Sequence, residues 1–169
     1  MKKNLVLIGM MAVGKTTIGS LLSKKLGISF EDLDSTIESR ESLSIKKIFD
    51  LKGEKYFRKI EEIEGLNIIK GDRKIIALGG GSFINQKIRD EIEKSSFSVW
   101  LDVAPEKIFN RIKKNKARPL LINAKSVEDV EKIYLNRKKI YALADYRLDC
   151  SAKSKEQITD EIIKKYESI

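Results

Sequence analysis

The sequence predicts an α/β domain, a parallel β-sheet with helices packed on both faces. Short apolar runs at Leu5–Ile8, Ile28–Phe30, Ile75–Leu78, Val99–Leu101 and Tyr146–Cys150 have the length and continuity of buried strands. Longer amphipathic segments separate them, and such alternation builds a parallel sheet, because each crossover helix covers one of its faces. A third observation is local: GMMAVGKTT, residues 9–17, joins the first apolar run to the helical stretch IGSLLSKKL, a strand–loop–helix junction.

Length and composition bound the rest. A chain of 169 residues is the size of one domain with one sizeable core. It is 41% hydrophobic and 35% charged, and none of its apolar runs nears the roughly 20 residues that span a bilayer. No membrane association is expected. The opening MKKNLVLIG reads as a first strand rather than a signal peptide, since its apolar part stops at Gly9. The single cysteine, Cys150, cannot form an internal disulfide and suits a reducing, cytoplasmic setting. It is expected to be a small buried side chain at the end of the last strand.

The net charge of +9 favours anionic ligands. Its lysines come in scattered pairs, such as Lys24-Lys25, Lys113-Lys114 and Lys138-Lys139, without the interleaved aromatics of a single-strand binding platform. They read as a solvated surface, and no nucleic-acid partner is expected.

Gly9, Gly14, Lys15 and Thr16 satisfy G-x-x-x-x-G-K-[ST] in the strand-to-helix context which that motif requires. Glycines let backbone amides close around phosphates, the helix amino terminus adds partial positive charge, Lys15 reaches the terminal phosphates, and the Thr16 hydroxyl is placed for Mg²⁺. This P-loop establishes nucleotide binding and leaves the reaction open.

Ligands of open parallel sheets bind beyond the carboxyl ends of the strands, which singles out Asp32 to Asp34, Gly79 to Gly81, Asp102 and Ser151 to Lys153 besides the loop. A GTPase switch would use fragments such as Asp50-Leu51-Lys52-Gly53, Asn115-Lys116 and Ser151-Ala152-Lys153. The first of these lies where Ile45, Ile48, Phe49 and Leu51 have helical spacing, and Arg118 stands where a guanine-binding Asp is needed. A motor ATPase would end a strand in an acid, whereas Ile75–Leu78 ends in Gly79-Gly80-Gly81. Three glycines there allow close backbone approach to a ligand, although a flexible turn would also account for them.

The second strand is expected to end in Asp32-Leu33-Asp34, where period-two alternation points both carboxylates to the same side, giving one carboxylate for a metal and one for an attacking hydroxyl. Helix capping by Asp34 ahead of STIESRE is the plainer alternative. Arg58 borders a predicted buried stripe of Phe57, Ile60 and Ile63, Arg137 falls in YLNRKKIYALAD, and Arg118 lies in the polar, Pro119-containing stretch from Lys113 to Lys125. Arginine pairs bidentately with carboxylate or phosphate, but each taken alone reads equally as a surface residue.

Taken jointly, GMMAVGKTTIG, the DLD of residues 32–34, IKKIFDLKGEKYFRKIE from Ile45 to Glu61, the GGG of residues 79–81, RPLL of residues 118–121 and R-x-x-x-Y-x-x-x-A-D from Arg137 to Asp145 resemble the shikimate kinases over nearly the whole chain. The resemblance implies a three-layer P-loop kinase fold, a five-stranded sheet in the order 2-3-1-4-5, a substrate-binding helical segment at about residues 32–62 and a mobile lid at about residues 112–125. It implies a cytoplasmic, monomeric enzyme that transfers the γ-phosphate of ATP to the 3-hydroxyl of shikimate with Mg²⁺.

By that resemblance Lys15, Asp34 and Arg118 are catalytic. ATP would contact Met11, Ala12, Val13, Gly14, Lys15, Thr16 and Thr17, together with Arg111, Arg118 and Lys153, the adenine lying near Arg111 and the Ser151–Ser154 loop. Shikimate would be held by Asp34, Arg58, Gly79, Gly80, Gly81 and Arg137, its carboxylate by the two arginines. Mg²⁺ would be held by Thr16 and, through water, by Asp32. The alternatives are a gluconate or nucleoside monophosphate kinase and a non-catalytic nucleotide-binding module.

The sequence departs from the family at Ala12-Val13, where a glycine-containing pair is usual, at Ser42, where glycine is common, and in the last loop, which lacks the usual proline. If position 12 needs a positive φ, Ala12 costs about 1 kcal/mol or more.

Overall fold

The computed structural model describes residues 4–114 and 124–169. Five parallel strands, β1 (Asn4–Ile8), β2 (Phe30–Asp32), β3 (Ile75–Ala77), β4 (Ser96–Asp102) and β5 (Tyr146–Asp149), form one sheet in the order β2-β3-β1-β4-β5. Seven described helices join or follow them: α1 (Lys15–Leu26), α2 (Leu33–Glu41), α3 (Ile45–Ile69), α4 (Gln86–Ser95), α5 (Pro105–Lys114), α6 (Val127–Tyr141) and α7 (Lys155–Glu167). The fold class and strand order are those expected.

The order explains the layering. Passing from β1 through α1 to β2 moves the chain toward one edge, whereas the crossovers into β3, β4 and β5 move it the other way. Right-handed crossovers therefore put α1 on one face and α3, α4, α5 and α6 on the opposite one. In agreement, α1 packs with α7, while α3 packs with α4 and α5 with α6. Both layers bury the central strands: all of β1 and β4 is solvent-excluded, and Trp100 of β4 is the largest fully buried side chain. Cys150 lies buried just past β5, as expected.

Several boundaries differ from the sequence reading. The second strand is Phe30–Asp32 rather than Ile28–Phe30, because this edge strand pairs only with β3, from Phe30 onward, and is half-exposed. The fourth extends through Ser96 and Ser98, both buried and satisfied within the sheet region. On α3 the buried face holds Glu61 and Glu64 in addition to Phe57 and Ile60, and Ile63 is only half-buried. Partners explain it: Glu64 pairs with Arg40, and Glu61 with Arg58 and Ser82. The Asp50–Gly53 fragment does lie in helix, which is kinked where Gly53 adopts φ 82°.

Two of the three departures from the pattern it resembles coincide with the two non-glycine residues found at positive φ among those described. Ala12 has φ 61° and Ser42, which ends α2, has φ 52°. Glycine is the residue such positions favour, so Ala12 and Ser42 are held there under strain.

Candidate active site

The phosphate loop begins where β1 ends. Gly9, at φ 141°, passes so close to β4 that a Cβ would lie 2.7 Å from the Leu101 carbonyl oxygen. Gly14, at φ 103°, turns the chain into α1. Met11 and Val13 bury their side chains, so what they can offer a ligand is backbone. The Lys15 ammonium, nine-tenths buried, donates to the carbonyls of Gly9 and Met10, both at 2.8 Å. Arg111 Nη1 clasps the loop from outside, donating to Ala12 O at 3.1 Å and Val13 O at 3.0 Å. The exposed amino end of α1, with Thr16 and Thr17, has no acidic residue in its first turn, which leaves the helix dipole free to favour an anion.

Asp32 and Asp34 do not share a side by strand alternation, because α2 starts at Leu33. The capping residue is Asp32, not Asp34: its Oδ1 accepts from the amides of Asp34 at 3.0 Å and Ser35 at 3.3 Å. Its Oδ2 accepts from Thr16 Oγ1 at 2.6 Å. The helix thus orients one carboxylate toward the Thr16 hydroxyl. Asp34, in the first turn of α2, is carried instead toward the triple glycine.

That triple glycine, between β3 and the short 3-10 turn Ser82–Ile84, is where four remote segments meet. A methyl group on Gly79 would sit 2.8 Å from Asp34 Oδ1, and one on Gly81 2.7 Å from Arg58 Nη1. On Gly80 it would sit 3.2 Å from Arg137 Nη1 and 3.3 Å from the Met11 amide of the phosphate loop. A Cβ would clash at Gly79 and Gly81 and be tightly crowded at Gly80, so the three side chains and the bare backbone fit together. Arg137 Nη1 also donates to Gly80 O at 3.1 Å. The result is a cluster of Asp34, Arg58 and Arg137 gathered on the glycine turn beside the P-loop.

Two participants were given no role in the sequence reading. Glu61 is buried and accepts from Arg58 Nη1 at 2.7 Å and from Ser82 Oγ at 2.6 Å. Burial opposes the Arg58 charge, yet Glu61, with Glu54 behind it, raises its pKa above the ordinary guanidinium value. Tyr141 donates its hydroxyl to Gly80 O. The spacings were signals: Glu61 stands three residues after Arg58, and Tyr141 four after Arg137, each on its partner's helical face.

Other predicted residues are placed differently. Asp102, at the end of β4, is enclosed in a network, accepting from Tyr134 Oη at 3.0 Å and Arg147 Nε at 2.8 Å. Burial, then Asp102, pushes the Tyr134 pKa up to about 12. Lys153 pairs with Glu161 of α7, and the Ser151 hydroxyl accepts from the Ala104 amide ahead of α5 at 3.1 Å. Arg111 therefore touches the phosphate loop, while the Ser151–Ser154 segment is tied to α5 and α7. Arg118 and most of the expected lid, residues 115–123, lie outside the described residues.

A sequence model of shikimate kinases matches residues 11–167. The chain belongs to the shikimate kinase family. The shikimate kinase of Alkaliphilus oremlandii is 39% identical over 167 residues, spanning 96% of this chain and 98% of its own. That of a Sulfurihydrogenibium species is 36% identical over 163 residues, spanning 96% and 97%. A solved shikimate kinase from Acinetobacter baumannii, in complex with shikimate, superposes with a TM-score of 0.93 at 27% identity, covering 99% of this chain and 94% of that one. Like other shikimate kinases, this chain is an ATP-dependent phosphotransferase, and the GTPase and non-catalytic readings fall away.

Proposed function

We propose that this shikimate kinase places shikimate on the triple glycine and moves the γ-phosphate of ATP to its 3-hydroxyl, yielding shikimate 3-phosphate and ADP for chorismate and aromatic amino acid synthesis. The observation that carries this reading is the convergence of Asp34, Arg58 and Arg137 on Gly79, Gly81 and Gly80 beside the Met11 amide. A carboxylate-bearing, hydroxylated ring needs such a set: two guanidinium groups for its carboxylate, a carboxylate for its hydroxyls, and bare backbone under the ring.

Each residue then has a task. Arg58 and Arg137 hold the acceptor carboxylate, which aligns the 3-hydroxyl with the γ-phosphate. Asp34 accepts the hydroxyl hydrogen and takes the proton as the oxygen–phosphorus bond forms. Lys15, fixed by Gly9 O and Met10 O, places positive charge at the transferring phosphoryl group. Arg118 adds a second positive charge there. The loop amides of Met11 to Gly14, with Thr16 and Thr17, cradle the phosphates, and Arg111 and Lys153 line the nucleotide side.

Thr16 and Asp32 fit a Mg²⁺ ion: a hydroxyl and an oriented carboxylate adjoin at the amino end of α1, hard oxygen donors of the kind this ion takes alongside water and phosphate oxygens. Held by these residues, Mg²⁺ would supply positive charge to the phosphates of ATP.

The enzyme works, in this reading, as a single domain and a monomer in the cytoplasm with no nucleic-acid or membrane partner, residues 32–62 being its acceptor-binding segment and residues 112–125 its lid. No described helix is long and apolar enough to cross a membrane. A coupled ADP-release assay with ATP and Mg²⁺ tests the proposal. Shikimate should stimulate turnover, whereas gluconate and AMP should not; stimulation by either of those and none by shikimate would overturn it.

A further inference from the structure

Tyr141 is absent from the roles above, yet it is fully buried at the last turn of α6 and its hydroxyl donates to Gly80 O. We propose that Tyr141 is a positioning residue for the acceptor site, sharing the Gly80 carbonyl with Arg137 so that the guanidinium stays turned toward the acceptor carboxylate. The inference rests on the reading that Arg137 holds that carboxylate.

A carbonyl oxygen has two lone pairs. At Gly80 one is taken by Arg137 Nη1 at 3.1 Å and one by Tyr141. Both donors come from one face of α6, four residues apart. Without the hydroxyl, a part-buried carbonyl would depend on Arg137 alone, and the acceptor carboxylate would compete with the backbone for the same guanidinium. The geometry also links the two substrates: the Gly80 Cα faces the Met11 amide and the Gly9 carbonyl of the phosphate loop. Holding Gly80 in place therefore holds Arg137 at a set distance from the phosphates.

The ring of Tyr141 packs against Trp100, centroid to centroid 5.8 Å, and burial keeps its hydroxyl protonated beyond the usual tyrosine range. A second tyrosine on α6, Tyr134, also packs on Trp100, at 6.5 Å, but donates to Asp102 rather than to the glycine turn. It supplies the matched control for a role that is structural only.

The test is Tyr141→Phe, which keeps the ring against Trp100 and removes one oxygen, so that the fold is retained. The shikimate KM should rise about three- to tenfold, the worth of one neutral hydrogen bond, with the ATP KM unchanged. Tyr134→Phe should lower the melting temperature comparably and leave the shikimate KM alone. In Arg137→Ala the added Tyr141→Phe change should raise the shikimate KM little further. An unchanged shikimate KM in Tyr141→Phe, an equal rise in Tyr134→Phe, or full additivity with Arg137→Ala would each overturn the inference. An unchanged shikimate KM in Arg137→Ala alone would instead remove the reading beneath it.

Discussion

Replacing Arg58 by alanine separates two jobs of one side chain. Toward the acceptor, Arg58 supplies a charge-assisted pair with a carboxylate, worth about 1.5–3 kcal/mol. Its side chain is one-third exposed, so the lower half applies; about 2 kcal/mol corresponds to a roughly thirtyfold rise in the shikimate KM. Toward the fold, its loss strips Glu61, 4% exposed, of its cation but leaves Ser82 Oγ at 2.6 Å. A buried carboxylate with one remaining partner costs about 1–2 kcal/mol, which at this chain length lowers the melting temperature by about 2–8 °C. Adding Glu61→Gln to Arg58→Ala should recover part of the stability and none of the affinity. Steady-state ADP release against each substrate, with thermal denaturation followed by circular dichroism, reads both effects. A lowered melting temperature with an unchanged shikimate KM would show that Arg58 only holds α3 to the glycine turn, and the acceptor reading would fail.

Ala12→Gly should raise the melting temperature by up to about 6 °C: relieving φ 61° recovers about 1–2 kcal/mol, less the 0.5–1 kcal/mol of extra chain entropy glycine loses. A fall would mean that Ala12 contributes contacts exceeding its strain. Asp34→Asn should cut kcat by about two to four orders of magnitude with the melting temperature preserved, and near-normal turnover would show the carboxylate to be dispensable. The buried Cys150 thiol is pushed up to about 12, first by burial and then by Asp149. A raised native pKa stabilises fully below the unfolded value, and that contribution disappears as pH rises from about 9 to 12. Stability should therefore fall over that window, less steeply in Cys150→Ala. At pH 8 the native thiol should resist alkylation until the protein unfolds; rapid stoichiometric labelling would contradict its burial.

Much of the site was legible because its chemistry is tied to short spacings. The phosphate loop needs glycines and Lys15 at fixed intervals, and GGG at a strand end marks backbone approached by something else. What approached it was legible only through the family resemblance, not from the residues taken singly. Asp34, Arg58 and Arg137 lie on three different helices, α2, α3 and α6, and each alone resembles a surface charge. Their pairing with one glycine apiece follows from how those helices pack around the turn that follows β3. That the cap is Asp32, and that the two carboxylates do not share a strand face, was hidden for a local cause: whether a strand stops at Asp32 or runs on through Leu33 depends on pairing with β3, which residues 32–34 do not encode.

By itself, then, the sequence determined the parallel α/β architecture, the nucleotide site and the residue types for an anionic, hydroxylated acceptor, since periodicity and motif spacing are properties of the chain alone. Tertiary structure alone decided which groups remain available. It enclosed Asp102 between Tyr134 and Arg147, gave Glu61 to Arg58 and Ser82, turned Arg111 onto the loop carbonyls and set Tyr141 on Gly80. A buried polar group must find a partner or lose about 1–3 kcal/mol, and only packing determines which partner lies within reach.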